Sequence, residues 1–218
     1  MKSLLCGTAL LIAAPLTASD TPEPSASETM PIATKMAALY GADIKFDVYR
    51  KGKRIGTHSV DFDKQDGTHT ITSGTKLKVK FLFFTAYKFS YSSSEVWSED
   101  ELVKVDSVTN DGGDIYETFW DPEAEKHLLP TNHWNPEVLE KSKIYNTISG
   151  KLDEVTITPG DWYTIETNTG PRKAQRFEYS GDLENVSVWY DEQQRWVGME
   201  FEGTDGSMIK YRCKMCGV

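Results

Sequence analysis

Long apolar runs are scarce in these 218 residues. Leu4–Leu16 is almost wholly apolar, and no other stretch is long and apolar enough to cross a bilayer as a helix. Basic side chains are also in deficit, 24 against 33 acidic ones, for a net charge of -9. That balance argues against a protein of duplex nucleic acid, which needs a basic face to neutralise phosphates. It bears less on stacking against single strands. Cysteine is nearly absent: Cys6, Cys213 and Cys216 leave no second pair for a zinc ribbon. The four histidines are His58, His69, His127 and His133, with no HExxH spacing among them. No GxSxG elbow and no phosphate-cradling glycine loop occurs, and the glycines sit at turns. After Gly41 no long helical pattern appears.

What is present begins with an address. Lys2, the apolar run and the small residues Thr17, Ala18 and Ser19 read as a secretory signal peptide over residues 1–19, cleaved near Ala18 or Ser19. Pro15 and the short apolar length argue against a membrane anchor. Cys6 lies inside the apolar region, not after it, so lipidation is not expected. Residues 20–30 are polar, acidic and Pro-rich and read as a disordered linker. One domain is expected over 31–218, a length able to bury a substantial core. With 39% hydrophobic and 11% aromatic residues, most of the chain is expected to fold. It starts with one short helix. Pro31 suits the first turn, Gly41 suits a left-handed C-terminal cap, and Met36, Leu39 and Tyr40 share a docking side.

From Asp43 the period changes to two. Ile44, Phe46 and Val48 alternate with Lys45, Asp47 and Tyr49. The apolar phase shifts between Ile55 and Val60, which predicts a bulge near Gly56. Turn clusters such as KQDG, SEDE, NDGG, DEQQ and GTDGS punctuate about ten to twelve strands. The fold class is therefore all-β, a strongly curved antiparallel meander forming a half-barrel or barrel, with consecutive hairpins pairing as neighbours. In KLKVKF, Leu77, Val79 and Phe81 face one side and Lys76, Lys78 and Lys80 the other. At Leu82 and Phe84 the outer face turns apolar too, so this segment is either a doubly covered core strand or the lip of an apolar pocket. On the lip reading, Phe81, Phe83, Phe84 and Tyr87 are ligand-binding.

The longest interruption of the strand rhythm is the 121–143 loop, with His133, Trp134 and Asn135 at its centre between Pro130 and Pro136. A Trp face beside imidazole and amide groups can read a flat polar ligand. Alternatively Trp134 plugs one end of the barrel while Asn135 holds a turn. His127 and His133 share the loop with Asp121, Glu123 and Glu125, but charged loops serve solubility and no metal site is expected. Ser90, Ser92, Ser93 and Ser94 suit an outer strand face, and a solvated face accounts for Glu95, Glu117 and Asp191. Cys213 and Cys216 form a CxxC, expected as a local disulfide without catalytic role, since only two residues follow and no helix can lower a thiol pKa there.

The segments YRKGKRIGTHSVDF, TNDGG, TNHWNP, NTISGKLDEVTI, VWYDEQQRWVGMEF and GSMIKYR, in that order, resemble an uncharacterised family of exported Gram-negative proteins known as a domain of unknown function. The resemblance covers about residues 43–212 and leaves the C-terminal RCKMCGV outside it. That family in turn resembles the LolA and LolB type of periplasmic half-barrel, in which a curved sheet wraps an apolar cavity under a short helix. The resemblance implies a periplasmic location and no particular reaction. The expected function is thus non-catalytic binding or carriage of an apolar or amphipathic, lipid-like molecule, without cofactor. Two alternatives stand beside it: an envelope assembly factor docking another protein, and a hydrolase or carbohydrate-active enzyme using the long loop.

Overall fold

The computed structural model describes residues 31–81, 84–99, 101–120 and 128–217, with the side chains of residues 81 and 84 outside that description. Helix α1 (Ile32–Tyr40) is followed by β1 (Ile44–Arg50), β2 (Lys53–Gln65), β3 (Thr68–Phe81), β4 (Phe84–Ser98), β5 (Glu101–Asp111) and β6 (Asp114–Trp120). After the long connection come β7 (Lys143–Tyr145), β8 (Leu152–Thr167), β9 (Gly170–Gly181), β10 (Val186–Asp191), β11 (Trp196–Glu202) and β12 (Met208–Met215). All twelve form one antiparallel sheet in the order β6-β5-β4-β3-β2-β1-β12-β11-β10-β9-β8-β7. Two six-stranded meanders are therefore joined at the middle by pairing of β1 with β12, where Val48 faces Tyr211. Within each half every neighbour is the next strand in sequence, as short polar turns dictate.

The sheet curls far enough that its ends approach without pairing. Trp120 of β6 stacks on Tyr145 of β7 with ring centroids 5.0 Å apart. The Thr118 hydroxyl donates to the Thr147 carbonyl at 3.4 Å, and the Ser107 hydroxyl donates to the same oxygen. The outer edge of β7 is covered by the chain just before it: Thr131 N–H donates to the Tyr145 carbonyl, and Tyr145 N–H to the Leu129 carbonyl, each at 2.9 Å. The edge of β6 has no such cover among the described residues. Curvature is helped by the bulge expected near Gly56: Val48 faces Gly56 while Tyr49 faces Arg54, leaving Ile55 as the extra residue. A Cβ on Gly56 would sit 1.9 Å from the Lys76 carbonyl oxygen, so only glycine lets β2 lie this close to β3.

The chain does not turn at Pro159-Gly160; β8 runs through as a single strand, with an irregularity between Pro159 and Trp162. A bulge absorbs the proline, whose missing N–H would end a regular ladder.

Helix α1 lies across one end of the barrel. Ile32, Ala33, Met36 and Tyr40 are its buried residues, and Gly41 caps it with φ 69° and an N–H bond to the Ala37 carbonyl. The Tyr40 hydroxyl donates to the Trp134 carbonyl at 3.1 Å and accepts the Trp196 N–H at 2.8 Å. Its ring stacks on Phe62 at 5.9 Å, and Thr34 bonds His69 at 2.7 Å.

Candidate functional site

The inward residues of the first meander are unusually polar. Period two points His58 and Val60 of β2, Ser73, Thr75, Leu77 and Val79 of β3, Tyr91, Ser93, Glu95 and Trp97 of β4, and Val105, Ser107 and Thr109 of β5 to the interior. Much of this polar lining is matched by the segment Thr131–Asn135, which enters the barrel from the α1 end. Asn132 donates through Nδ2 to Glu95 Oε1 at 2.6 Å and to Ser93 Oγ at 3.1 Å, and its Oδ1 accepts from the Tyr91 hydroxyl at 3.1 Å. The Trp134 indole N–H donates to Glu95 Oε1 at 3.1 Å, and that of Trp97 to Oε2 at 3.0 Å. Tyr190 donates to the His133 carbonyl at 2.8 Å, and Tyr179 bonds His133 Nδ1 at 3.4 Å. Trp134 packs edge-on against Phe62 and Trp97. Asn135 caps the 3₁₀ turn Pro136–Glu140, its Oδ1 accepting from Glu137 N–H at 3.0 Å.

This plug fills the part of the interior next to α1, to which the Tyr40 hydroxyl ties it. A cavity of about 630 Å³ opens at the end away from α1. Ile55, Val60, Leu77, Val79 and Phe89 wall it on one side, and Val186, Met199, Phe201 and Ile209 on the other. Its floor is polar: His58, Ser73, Thr75, Asn132, His133 and Thr147. Its rim carries Arg50, Tyr87, Ile148, Glu202 and Asp205. Arg50 donates to Asp205 and, through Nε, to Ser207 Oγ at 2.7 Å. Hydrogen bonds from Ser207 and then Arg50 hold the Asp205 carboxyl down at about 2. Such size and such apolar walls with a few convergent polar groups are those of a small-molecule site.

Burial sets the charge state of the floor. It lowers His58 to about 3, helped by the neighbouring His133, and lowers His133 to about 4. His58 Nδ1 bonds Thr75 Oγ1 at 2.8 Å. Both imidazoles are neutral at physiological pH. Behind the floor, burial raises Glu95 to about 7 against the pull of three N–H donors. Burial also pushes Tyr91 and Tyr211 up to about 12. Among the described residues, no group of three or more His, Cys, Asp or Glu converges to hold a metal ion.

The residues expected to bind ligand separate into three groups. His133 lines the floor and Tyr87 the rim, where the Tyr87 hydroxyl donates to Asp111 at 2.5 Å. Trp134 and Asn135 are 1% and 3% exposed and stand behind the cavity, so the packing makes them parts of the plug. The side chains of Phe81, Phe83 and Phe84, and all of Leu82, fall outside the described residues, though Val79, Ala86 and Tyr87 beside them border the cavity. His127, Asp121, Glu123 and Glu125 fall outside them as well. Cys213 and Cys216 are joined in a disulfide, both buried.

Three assignments to an outer or solvated face are corrected. Glu95 is fully buried, and Asp191 is 5% exposed with Arg172 and Arg195 against it. Ser93 likewise points inward at 1% exposure. The signal for Glu95 and Ser93 lay in phase: both alternate in step with Tyr91 and Trp97, which are plainly core types. Ser73 was overlooked although it stands in phase with Ile71 and Leu77.

The profile of the DUF6134 domain of unknown function matches residues 46–214. Among solved structures, the chain is similar to a beta-barrel-like protein of the domain of unknown function DUF1849 from Brucella abortus. The TM-score is 0.50 at 9% identity, over 87% of this chain and 98% of that one. At that identity the likeness concerns fold alone. No curated protein matches the chain.

Proposed function

The chain belongs to the DUF6134 family, and from that premise we propose that it is a non-catalytic carrier for an apolar or amphipathic, lipid-like molecule. The observation that carries this reading is the open cavity of about 630 Å³ with apolar walls, in a barrel whose end next to α1 is filled. A filled interior would serve a purely structural part equally well; an apolar cavity open to solvent is what a small-molecule carrier needs. The reading extends to location. Residues 1–19 act as the export signal and 31–218 as the periplasmic domain, in the manner of the LolA and LolB type of half-barrel.

Titration with an apolar fluorescent dye, N-phenyl-1-naphthylamine, tests the carrier role. Saturable binding is expected, lost or weakened at least about tenfold in Leu77→Trp, whose added bulk occupies the cavity. Native mass spectrometry of protein taken from the periplasm is expected to show bound lipid. No dye binding by the folded protein would overturn the reading.

A second reading, docking of another envelope protein, is favoured by one feature. Strand β6, uncovered among the described residues, and its neighbour β5 expose Ile115, Phe119 and Val108. On that reading Phe119→Lys, not Leu77→Trp, is the change that abolishes function.

A further inference from the structure

The cavity has two chemically distinct ends. Among the residues lining it, the charged side chains are Arg50, Glu202 and Asp205, and all three stand at the rim. The floor is made of hydroxyl, amide and neutral imidazole groups. Most of these are already satisfied by one another. Thr75 bonds His58, Asn132 bonds Glu95, Ser93 and Tyr91, and Thr147 bonds Tyr91 at 2.6 Å. Ser73 differs. It is wholly buried, it borders the cavity, and its Oγ has no hydrogen-bond partner. A buried hydroxyl left unpaired is costly, and native proteins rarely keep one without use.

An ionised group at this depth would meet no opposite charge. The buried acid behind the floor, Glu95, lies on the far side of Asn132, which takes its Oε1, and it offers an anion no positive partner. A cation would face two imidazoles that burial keeps neutral. Each ion would lose its hydration without a partner.

Resting on the carrier reading above, we propose that the cavity floor is a subsite for the uncharged polar end of an amphipathic ligand, a hydroxyl, ester or amide, with Ser73 Oγ as its hydrogen-bond partner and the hydrocarbon lying along the apolar walls toward the mouth. Ligands of this class are long-chain alcohols and acylglycerols. Free fatty acids, whose carboxylate would have to enter ionised, are discriminated against.

The test is displacement of N-phenyl-1-naphthylamine at neutral pH by 1-dodecanol, methyl dodecanoate and dodecanoate, chains of equal length. The alcohol and the ester are expected to displace the dye at concentrations at least about tenfold lower than the carboxylate. Ser73→Ala is expected to melt at the same or a higher temperature and to lose about threefold to tenfold in affinity for the alcohol relative to its affinity for the dye. If the alanine protein fails to bind dye, Ser73→Cys, with nearly the same volume and a poorer donor, reads the same contrast. Dye binding with equal displacement by alcohol and carboxylate, or with no effect of removing the Ser73 hydroxyl, would overturn the subsite and leave the carrier role standing. Absence of dye binding in the parent protein would overturn both.

Discussion

Glu95 is the residue whose environment has the clearest consequence. Its carboxyl is enclosed by Asn132, Trp134 and Trp97, and burial raises it to about 7 from an ordinary 4.5. Between those values the unfolded chain has released the proton and the folded chain still holds it. The contribution of Glu95 therefore falls as pH rises from about 4.5 to 7 and is wholly lost above that. His58 and His133 act in the opposite direction. Folding lowers them to about 3 and 4 from 6.5, so the unfolded chain binds protons the folded one refuses, and stability rises with pH over that window. The two trends oppose each other between pH 4.5 and 6.5. Glu95→Gln removes the falling one. Urea unfolding at pH 4.5 and pH 8 is expected to show that the gain in stability on going to pH 8 is larger in the variant, by about 3 kcal/mol. Identical pH profiles for the two proteins would show that the carboxyl is not held protonated.

At the scale of elements, the long connection between β6 and β7 and helix α1 act together. Trp134 is held by Phe62, Trp97 and Glu95, and Tyr40 ties its carbonyl to the Trp196 N–H. Trp134→Ala is expected to cost about 3–5 kcal/mol in chemical denaturation, the range for removing a large buried aromatic. It should leave dye affinity within a few fold, because the ring stands behind the floor and not in it. A collapse of dye binding in a still-folded variant would place the tryptophan in the ligand site after all. The strands themselves were legible, since KLKVKF and IKFDVY carry period two plainly and DEQQ and GTDGS mark their turns. The plug was not. TNHWN has no period, and its polar residues become interior only because β4 presents matching hydroxyls and a carboxyl.

For the molecule as a whole, the two meanders become one sheet through pairing of β1 with β12, elements at opposite ends of the domain. Next to that seam the Cys213–Cys216 disulfide closes a very small loop. Loop entropy assigns such a bridge about 2 kcal/mol, less than a bridge across a long loop. Reduction, or Cys213→Ala with Cys216→Ala, is expected to lower the unfolding free energy by about that amount and to leave dye binding unchanged. Loss of dye binding on reduction, with the fold retained, would give the cysteines a functional role.

Local chemistry was enough to determine from the sequence that the chain is an antiparallel meander, where its helix begins and ends, and that Gly56 marks a bulge. Alternation, caps and turn residues act over a few positions and do not depend on what lies across the sheet. Only the tertiary structure decided which polar residues are interior, that Thr131–Asn135 fills the end of the barrel next to α1, and that the end away from it stays open. Those outcomes depend on the curl of twelve strands and on pairing between positions more than 150 residues apart, such as Val48 and Tyr211. Side chains brought together from different strands and loops, as Ser73 and Asn132 are at the cavity floor, share no local pattern that could announce them.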